Sequence, residues 1–536
     1  MARSSRKGSS VRREGDYNQG MLGGVPLPET QKSSPNLRDM LSIQPSEAAY
    51  PILGETVSDE LYEQLSTLSR KAFMDNQREQ YNSMRSTEDA LSGIRKVSIR
   101  SRDVQFTSLF HHLTLSLLSK AFHSLRRYAA SGCDKQTWKE YEANELERLI
   151  DLRIRLLSGT YRPLPVLRKY IPKANGSLRP LGICSVEDKI VQSALNMILE
   201  QIYEPVFEGL SYGFRPYTRA HDALDALAMA ITTKEVNYVL DADIVGCFDN
   251  IDKNILMEIL KIRIKDKRIL HLIRVLLDAG ILDKGELSWT DKGVIQGSVI
   301  SPLLANIFLD FVLDKFFIEW RKDFAKGEMY LVRYADDFVV CFELKEDALR
   351  FKEVLEDRLK CAGLELHKEK TRLLLFGKHA QETMEKANLG KPETFNFLGF
   401  CHSCSVTFAT KRFKLLRTTI SSRLEKKITE IKEKLENYLR VFGILETIKW
   451  LRMVINGYYN YFAIHDNLDT LSTFRFRICE IFYKLLHRLS QRSKWNWYKF
   501  NRFIGKLIPT AKVTHPYPSE RFDKRQKFLR HIRFEV

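Results

Sequence analysis

Hydrophobic and polar positions change their rhythm several times along the chain. Residues 1 to 55 are rich in Ser, Gly, Pro and Gln with little periodic hydrophobicity, so a flexible leader is expected there. From 56 to 160 apolar positions recur at steps of three and four, as in FTSLFHHLTLSLLSKAFHSL and NELERLIDLRIRLL, which predicts a helical N-terminal extension. Between 161 and 410 short apolar runs (NYVLDADI, MYLVRY, FVVCFEL) alternate with amphipathic stretches such as KIVQSALNMILEQIYEPVF, the signature of an α+β domain.

After Lys411 the rhythm becomes helical again. Ile420, Leu424, Ile428, Ile431, Leu435 and Leu439 form one apolar stripe on a long helix whose other faces carry Lys and Glu. A second helix is expected over Leu445 to Phe462 and a third from Leu471 to Leu489, so residues 411 to 492 read as a small bundle. From 493 to 536 aromatic and basic residues interleave (KWNWYKFNRF), and Pro516 and Pro518 in HPYP are expected to exclude helix. The sequence holds no internal repeat.

Charge sharpens this division. The 536 residues carry 85 Lys and Arg against 67 Asp and Glu, and residues 401 to 536 alone hold 28 against 11, leaving 57 against 56 for the rest. Nearly all of the +18 surplus lies at one end, where it would attract a polyanion; nucleic acid fits because each neutralised phosphate releases condensed counterions. A solvated basic face is the plainer alternative. Hydrophobic residues at 44% allow large cores, and no apolar run approaches the roughly 18 residues of a membrane span. Eight scattered cysteines suit a reducing, intracellular compartment. Cys401 and Cys404 have zinc-ligand spacing, but without a second pair nearby zinc is not expected.

The candidate chemistry is carboxylate. YLVRYADDFVVCF places Asp336 and Asp337 between two strand-like runs, as a hairpin whose turn displays two acids. Taken alone the pair also reads as a polar turn, where Asp is common. Adjacent desolvated carboxylates repel unless cations neutralise them, which favours divalent metal. In VLDADIVGCFDNID a strand carries Asp241 and Asp243 towards Gly246, and pairing of the two strands would bring Asp243 beside Asp336. Three acids caging two hard cations can run an in-line phosphoryl displacement, the chemistry of polymerases and nucleases.

The order of motifs bears on that choice. YRPLPVLRKYIPKANGSLRPLGI (161–183), EDKIVQSAL (187–195), SYGFRP (211–216), DADIVGCFDNID (241–252), QGSVISPLLANIFLD (296–310), YADD (334–337), GLELHKEKT (363–371), FNFLGF (395–400) and GYYNYF (457–462) follow one another. This series resembles the reverse transcriptases of mobile group II introns, the intron-encoded maturase family, over residues 115 to 530. The resemblance implies a right-hand polymerase of α+β class. Fingers and a palm with an antiparallel sheet would span 161–410, a helical thumb or maturase domain 411–492, and a basic DNA-binding tail 493–536.

It also implies residue roles. Asp243, Asp336 and Asp337 would be catalytic and bind two Mg²⁺ ions, with the backbone carbonyl of Ile244 as a further ligand. Phe248 would lie against the sugar and exclude a ribose 2′-hydroxyl. Lys173 and Arg179, flanking a turn at Asn175-Gly176, would hold the triphosphate of the incoming dNTP, and Gln296 would touch the nucleotide near its sugar. Ile295 stands where proline is commoner in the family. Lys370 would sit near the active site, towards the leaving pyrophosphate, and Tyr334 near the primer end. Arg215 is read as structural. Arg475, Arg477, Lys484, Arg488, Arg492, Lys494, Lys499, Arg502 and Lys506 would face nucleic acid.

The function implied is RNA-directed DNA synthesis by an intron-encoded protein that also assists splicing of its intron RNA and inserts by target-primed synthesis. The partners would be intron RNA, an RNA template/DNA primer duplex, target DNA and dNTPs, with no membrane. The compartment would be a nucleoid-associated bacterial cytoplasm or an organellar matrix. The HNH endonuclease that ends many relatives is not expected, since the last cysteine is Cys479. The rival readings are a domesticated relative in repair or phage defence, and a maturase that binds RNA without polymerising.

Overall fold

A computed structural model of the protein describes residues 84–172, 176–407, 410–489 and 496–534. The expected leader, the first part of the helical extension, Lys173, Asn175, Arg492 and Lys494 lie outside the described residues.

The N-terminal part is helical, as its periodicity predicts, with α1 (Met84–Arg100), α2 (Leu115–Ser124) and α3 (Glu145–Leu157) preceding the first strand. Helix α2 begins where the Thr114 hydroxyl accepts a hydrogen bond from Leu117 N. Helix α4 (Val186–Tyr203) begins in the same way, with Ser185 accepting from Asp188 N. Leu117, Leu118, Ile190, Val191, Leu195 and Ile198 are fully buried.

Eleven strands among the described residues form three sheets. In the first, β1 (Val166–Pro172) and β2 (Leu178–Ile183) are an antiparallel hairpin with Ile171 opposite Arg179. It is extended by β4 (Ile281–Asp283), parallel to β1, and by β5 (Glu286–Ser288). The central sheet consists of β3 (Tyr238–Asp243), β6 (Met329–Tyr334), β7 (Asp337–Phe342) and β8 (Arg372–Leu375). Its order is β6-β7-β3-β8, antiparallel throughout. Both of its faces are covered, which accounts for the nearly continuous apolar runs. Val239, Val332, Val339 and Cys341 pack with Ala223, Leu224 and Leu227 of α5 (Ala220–Thr233). Phe342 meets Phe351 of α6 (Lys345–Cys361) with ring centroids 5.7 Å apart.

The third sheet is β9 (Phe395–Phe397), β10 (Phe400–Val406) and β11 (Phe413–Thr419). Strand β11 carries the sheet beyond Lys411, where the sequence suggests a change to helix; FKLLRTT buries alternate positions and pairs with β10 along its length. Helix α7 (Ser421–Phe462) then holds the first two expected helices end to end, interrupted at Gly443 (φ 72°, ψ −177°). Its stripe of Leu424, Ile428, Ile431, Leu435 and Leu439 is buried against α8 (Leu468–Leu489), which supplies Phe474, Ile478, Phe482 and Leu485.

The last segment corrects one expectation. Pro518 does not exclude helix but is the first residue of α9 (Pro518–Phe534), the position where a missing N–H costs nothing and φ is already set. Helix α9 lies on α5, with Arg521 Nε 2.5 Å from Asp225 Oδ2 and Arg525 Nε 3.3 Å from Asp222 Oδ2. Just before it, the His515 ring stacks on His221 of α5 at 4.0 Å.

Candidate active site

Strand register places the acids. Asp243, the last residue of β3, is the direct partner of Asp337, the first residue of β7, and Asp337 is in turn opposite Tyr334 at the end of β6. The loop between β6 and β7 is therefore two residues, Ala335 and Asp336. Asp336 alone of the two acids stands in the turn. Asp243 thus faces Asp337 across the ladder and also lies close enough to Asp336 to act on it through its charge. Ala335 takes a left-handed φ of 59°, a conformation usually given to glycine at the first turn position of a tight hairpin.

The end of β3 is anchored from its other side by the GLELH segment. His367 N donates to Asp243 O at 2.8 Å, Val245 N donates to Glu365 O at 2.9 Å, and Ile244 bridges to Leu366. Ile244 has a buried side chain. These bonds fix the backbone at which the candidate carbonyl ligand sits.

Electrostatics set the acids against one another. Burial, with Asp241, Asp243 and Asp336 adding negative potential, pushes the Asp337 carboxyl up to about 7. Burial and Asp243 also raise Asp336, against the cations of Arg179 and Arg333. Asp241, an acid not among the expected site residues, is pushed up to about 6, chiefly by burial, despite Arg372 at 3.5 Å. The exposed Lys370 Nζ reaches Asp243 Oδ2 at 2.5 Å.

This donor set suits a hard divalent cation, because each acid raises the cost of ionising its neighbour. The side chains do not form the closed cage that the sequence suggests: among the described residues no three His, Cys, Asp or Glu side chains converge as a ligand group. Asp243 is instead paired with Lys370.

The other expected nucleotide contacts among the described residues are held by different elements. Arg179, exposed on β2, is close enough to act on Asp336 through its charge. Phe248 is half-buried and meets the exposed Phe214 edge-on at 6.4 Å. The loop carrying Gln296 is pinned twice. Gly182 N of β2 donates to Gln296 O at 2.7 Å, and Gln192 Oε1 accepts from Ser298 Oγ and Val299 N, both at 3.0 Å. A side chain at Gly182 would run into Ile295, so the residue that replaces proline is held by packing.

The comparisons with known proteins fall on the same segments. Residues 171–402 match the family described as reverse transcriptase (RNA-dependent DNA polymerase). The group II intron-encoded protein LtrA of Lactococcus lactis subsp. cremoris is 36% identical over 248 residues, 45% of this chain and 40% of LtrA. Protein YkfC of Escherichia coli K12 is 35% identical over 293 residues, covering 48% of this chain and 74% of YkfC. The chain belongs to the group II intron reverse transcriptase/maturase family. It spans about 40% of LtrA's length. An uncharacterized 91 kDa protein in the cob intron of Schizosaccharomyces pombe is 27% identical over 390 residues, 62% of this chain and 48% of that protein.

In this family member the C-terminal basic residues are not equivalent. Arg475 of α8 turns its guanidinium towards the backbone, donating to the carbonyls of Gly505 at 2.6 Å, Pro509 at 3.1 Å and Ile508 at 3.3 Å. Arg477 pairs through both Nη atoms with Glu425, and Lys484 pairs with Glu480 at 2.6 Å. Arg488, Lys499, Arg502 and Lys506 are exposed. Arg215 is buried, with a double contact to Glu204 and bonds to the carbonyls of Glu208 and Ser211, a structural tie as expected.

Sequence reasoning missed a second basic surface nearer the acids. Arg423, Lys426 and Lys427 of α7, with Tyr458, Tyr461 and Phe462, line a groove of about 490 Å³. Arg423 and Tyr461 lie within electrostatic reach of Asp337. The Tyr461 hydroxyl donates to Leu398 O at 2.7 Å, in the turn between β9 and β10. Lys and Arg within a periodic helix give no signal of which side faces a catalytic centre. No helix among the described residues is long and apolar enough to cross a membrane.

Proposed function

We propose that the protein is an RNA-directed DNA polymerase of the group II intron type, built as a right hand. The central sheet is its palm, the β1–β2 hairpin belongs to its fingers and the α7–α8 bundle is its thumb. The observation that carries this reading is the register that sets Asp243 opposite Asp337, with Asp336 in the adjoining two-residue turn, inside a segment that matches reverse transcriptases.

Asp243, Asp336, Asp337 and the Ile244 carbonyl would hold two Mg²⁺ ions. Bound there, the ions would supply activation of the primer 3′-hydroxyl and neutralisation of the departing pyrophosphate. The chain's own groups do the placing. Arg179 and Lys173 grip the triphosphate, Arg by its planar fork and Lys as a compact charge. Phe248, braced by Phe214, closes the space a 2′-hydroxyl would need. Gln296, on its pinned loop, meets the sugar. Lys370 moves from Asp243 to the leaving phosphates, and Tyr334 borders the primer end.

The groove beside Asp337 and the exposed cations of α8 and the following segment receive the template-primer backbone. Intron RNA and target DNA are the partners the family implies, with splicing assistance and target-primed insertion as the wider role. The test is primer extension on an RNA template in Mg²⁺ and moderate salt. The unmodified protein should incorporate dNTPs, and Asp336→Ala with Asp337→Ala should abolish incorporation. No incorporation by the unmodified protein rejects the polymerase reading and leaves the RNA-binding maturase.

A further inference from the structure

The turn that presents Asp336 is gripped from beneath by a buried cation. Arg333, two residues before the turn on β6, is 1% exposed. Its Nε donates to Asp314 Oδ1 at 2.7 Å and its Nη2 to Asp314 Oδ2. The remaining arm of the fork, Nη1, donates to Asn306 Oδ1 at 3.0 Å and to the Ala335 carbonyl at 3.1 Å. The Asn306 amide donates in its turn to Gly213 O at 2.8 Å. Backbone bonds complete the tie, Arg333 N to Leu210 O and Tyr212 N to Arg333 O, each at 2.9 Å.

Asp314 is placed for this task by the backbone. A single π-turn, Asp310–Asp314, joins the helices Ser301–Leu309 and Lys315–Asp323, and both of its acids are buried. Such one-turn insertions are frequent at functional sites. Stability alone does not call for this arrangement, because a buried ion pair replaced by apolar groups of similar volume is often no less stable. What apolar groups cannot supply is a directed donor to one turn carbonyl, on a residue held at positive φ.

The geometry points to Arg333 as a positioning residue that, through the Ala335 carbonyl, aims the Asp336–Asp337 pair at Asp243. Asn306 and Asp314 hold the guanidinium in place. The inference rests on the polymerase reading and adds a residue that touches neither substrate nor metal. Arg333→Lys keeps the charge and loses the fork; Asn306→Ser loosens one side of it.

Primer extension per folded molecule is measured for both variants against Mg²⁺ and dNTP, alongside Mn²⁺ binding to the free protein by electron paramagnetic resonance. Expected are a fall in kcat of roughly 10–10²-fold, the scale of a small misplacement at a reacting centre, and a higher half-saturating Mg²⁺ with little change in dNTP KM. Mn²⁺ affinity should weaken in parallel. Arg263→Met is the comparator, because Arg263 is also buried but bonds Ser98, Ser101 and Ile202, away from the site. It should lower thermal stability while leaving the Mg²⁺ requirement unchanged.

Variants that lose only stability, with wild-type Mg²⁺ half-saturation and Mn²⁺ affinity, overturn the inference. Absence of extension by the unmodified protein overturns the polymerase reading instead. In that event Mn²⁺ affinity alone decides the role of Arg333: unweakened binding in both variants rejects it, and weakened binding sustains it. If Arg333→Lys does not fold, Asn306→Ser decides on the same readouts.

Discussion

The ammonium of Lys370 lies 2.5 Å from the carboxylate of Asp243, on the acid that ends β3. A cation arriving at Asp243 must compete with it. Replacing Lys370 by Met should therefore strengthen Mn²⁺ binding to the free protein while slowing nucleotide addition, because the same ammonium is assigned to the leaving phosphates. Calorimetry of Mn²⁺ binding and single-turnover extension measure the two effects separately. Equal weakening of both would place Lys370 elsewhere in the reaction.

The raised carboxyl of Asp337 gives a pH dependence with a definite sign. Its folded-state value of about 7 exceeds the ordinary 3.8, so the protonated form is favoured by the fold. That contribution to stability is complete below about pH 4 and is lost as pH rises through about 7. In EDTA the melting temperature should fall between about pH 4 and about pH 7 through this group, and level off above that. Mg²⁺ should restore most at the alkaline end, with proton release on binding near neutrality. A pH-independent Mg²⁺ effect would contradict the shared burial of these acids.

Gly213 tests the surface on which the turn rests. A Cβ there would stand 2.4 Å from Ala335 N and 2.9 Å from the Tyr334 carbonyl carbon, both backbone atoms that cannot swing aside. Gly213→Ala should cost about 1–3 kcal/mol of stability. It should also lower extension by about 10²-fold, the penalty expected when reacting groups shift by about an ångström. Denaturant melts and kcat measured on the folded fraction separate the two losses.

The basic residues of the C-terminal third should divide by what they touch. Neutralising Arg488, Lys499, Arg502 and Lys506 together should flatten the dependence of log RNA affinity on log salt, by roughly one unit of slope per lost phosphate contact. Arg475→Gln should leave that slope nearly unchanged and instead cost about 2 kcal/mol of stability, because its partners are three backbone carbonyls. Binding titrations across salt, paired with thermal melts, decide between the two behaviours.

Much of the active centre is legible in the sequence because strands announce themselves by apolar runs and the acids stand at their ends. YADD between MYLVRY and FVVCF marks a hairpin, and DADI supplies its neighbour. The register itself, Asp243 opposite Asp337, depends on a two-residue turn with left-handed Ala335, for which an alanine gives no sign. Arg333 is illegible for another reason. A charged residue near a strand end ordinarily points to solvent, and it is Asp314 from the π-turn and Asn306 from the helix before it, with the Ala335 carbonyl, that make its burial tolerable. Pro518 misleads because a proline can begin a helix as readily as it ends one. The bundle stripe is readable, but which cations lie beside Asp337 depends on how α7 is set against the sheet.

The contact between Arg521 and Asp225 joins residues 296 positions apart. Closing a loop of that length in an unstructured chain costs about 5 kcal/mol from the logarithmic entropy term, more than one such ion pair returns. The contact can persist only after the intervening segments have condensed, so in refolding it belongs to the final consolidation rather than to the nucleus. The helix bearing Arg521 is thus expected to close as a late latch on α5, once the central sheet beneath that helix has reached its native arrangement, a timing that pulsed hydrogen exchange during refolding would check.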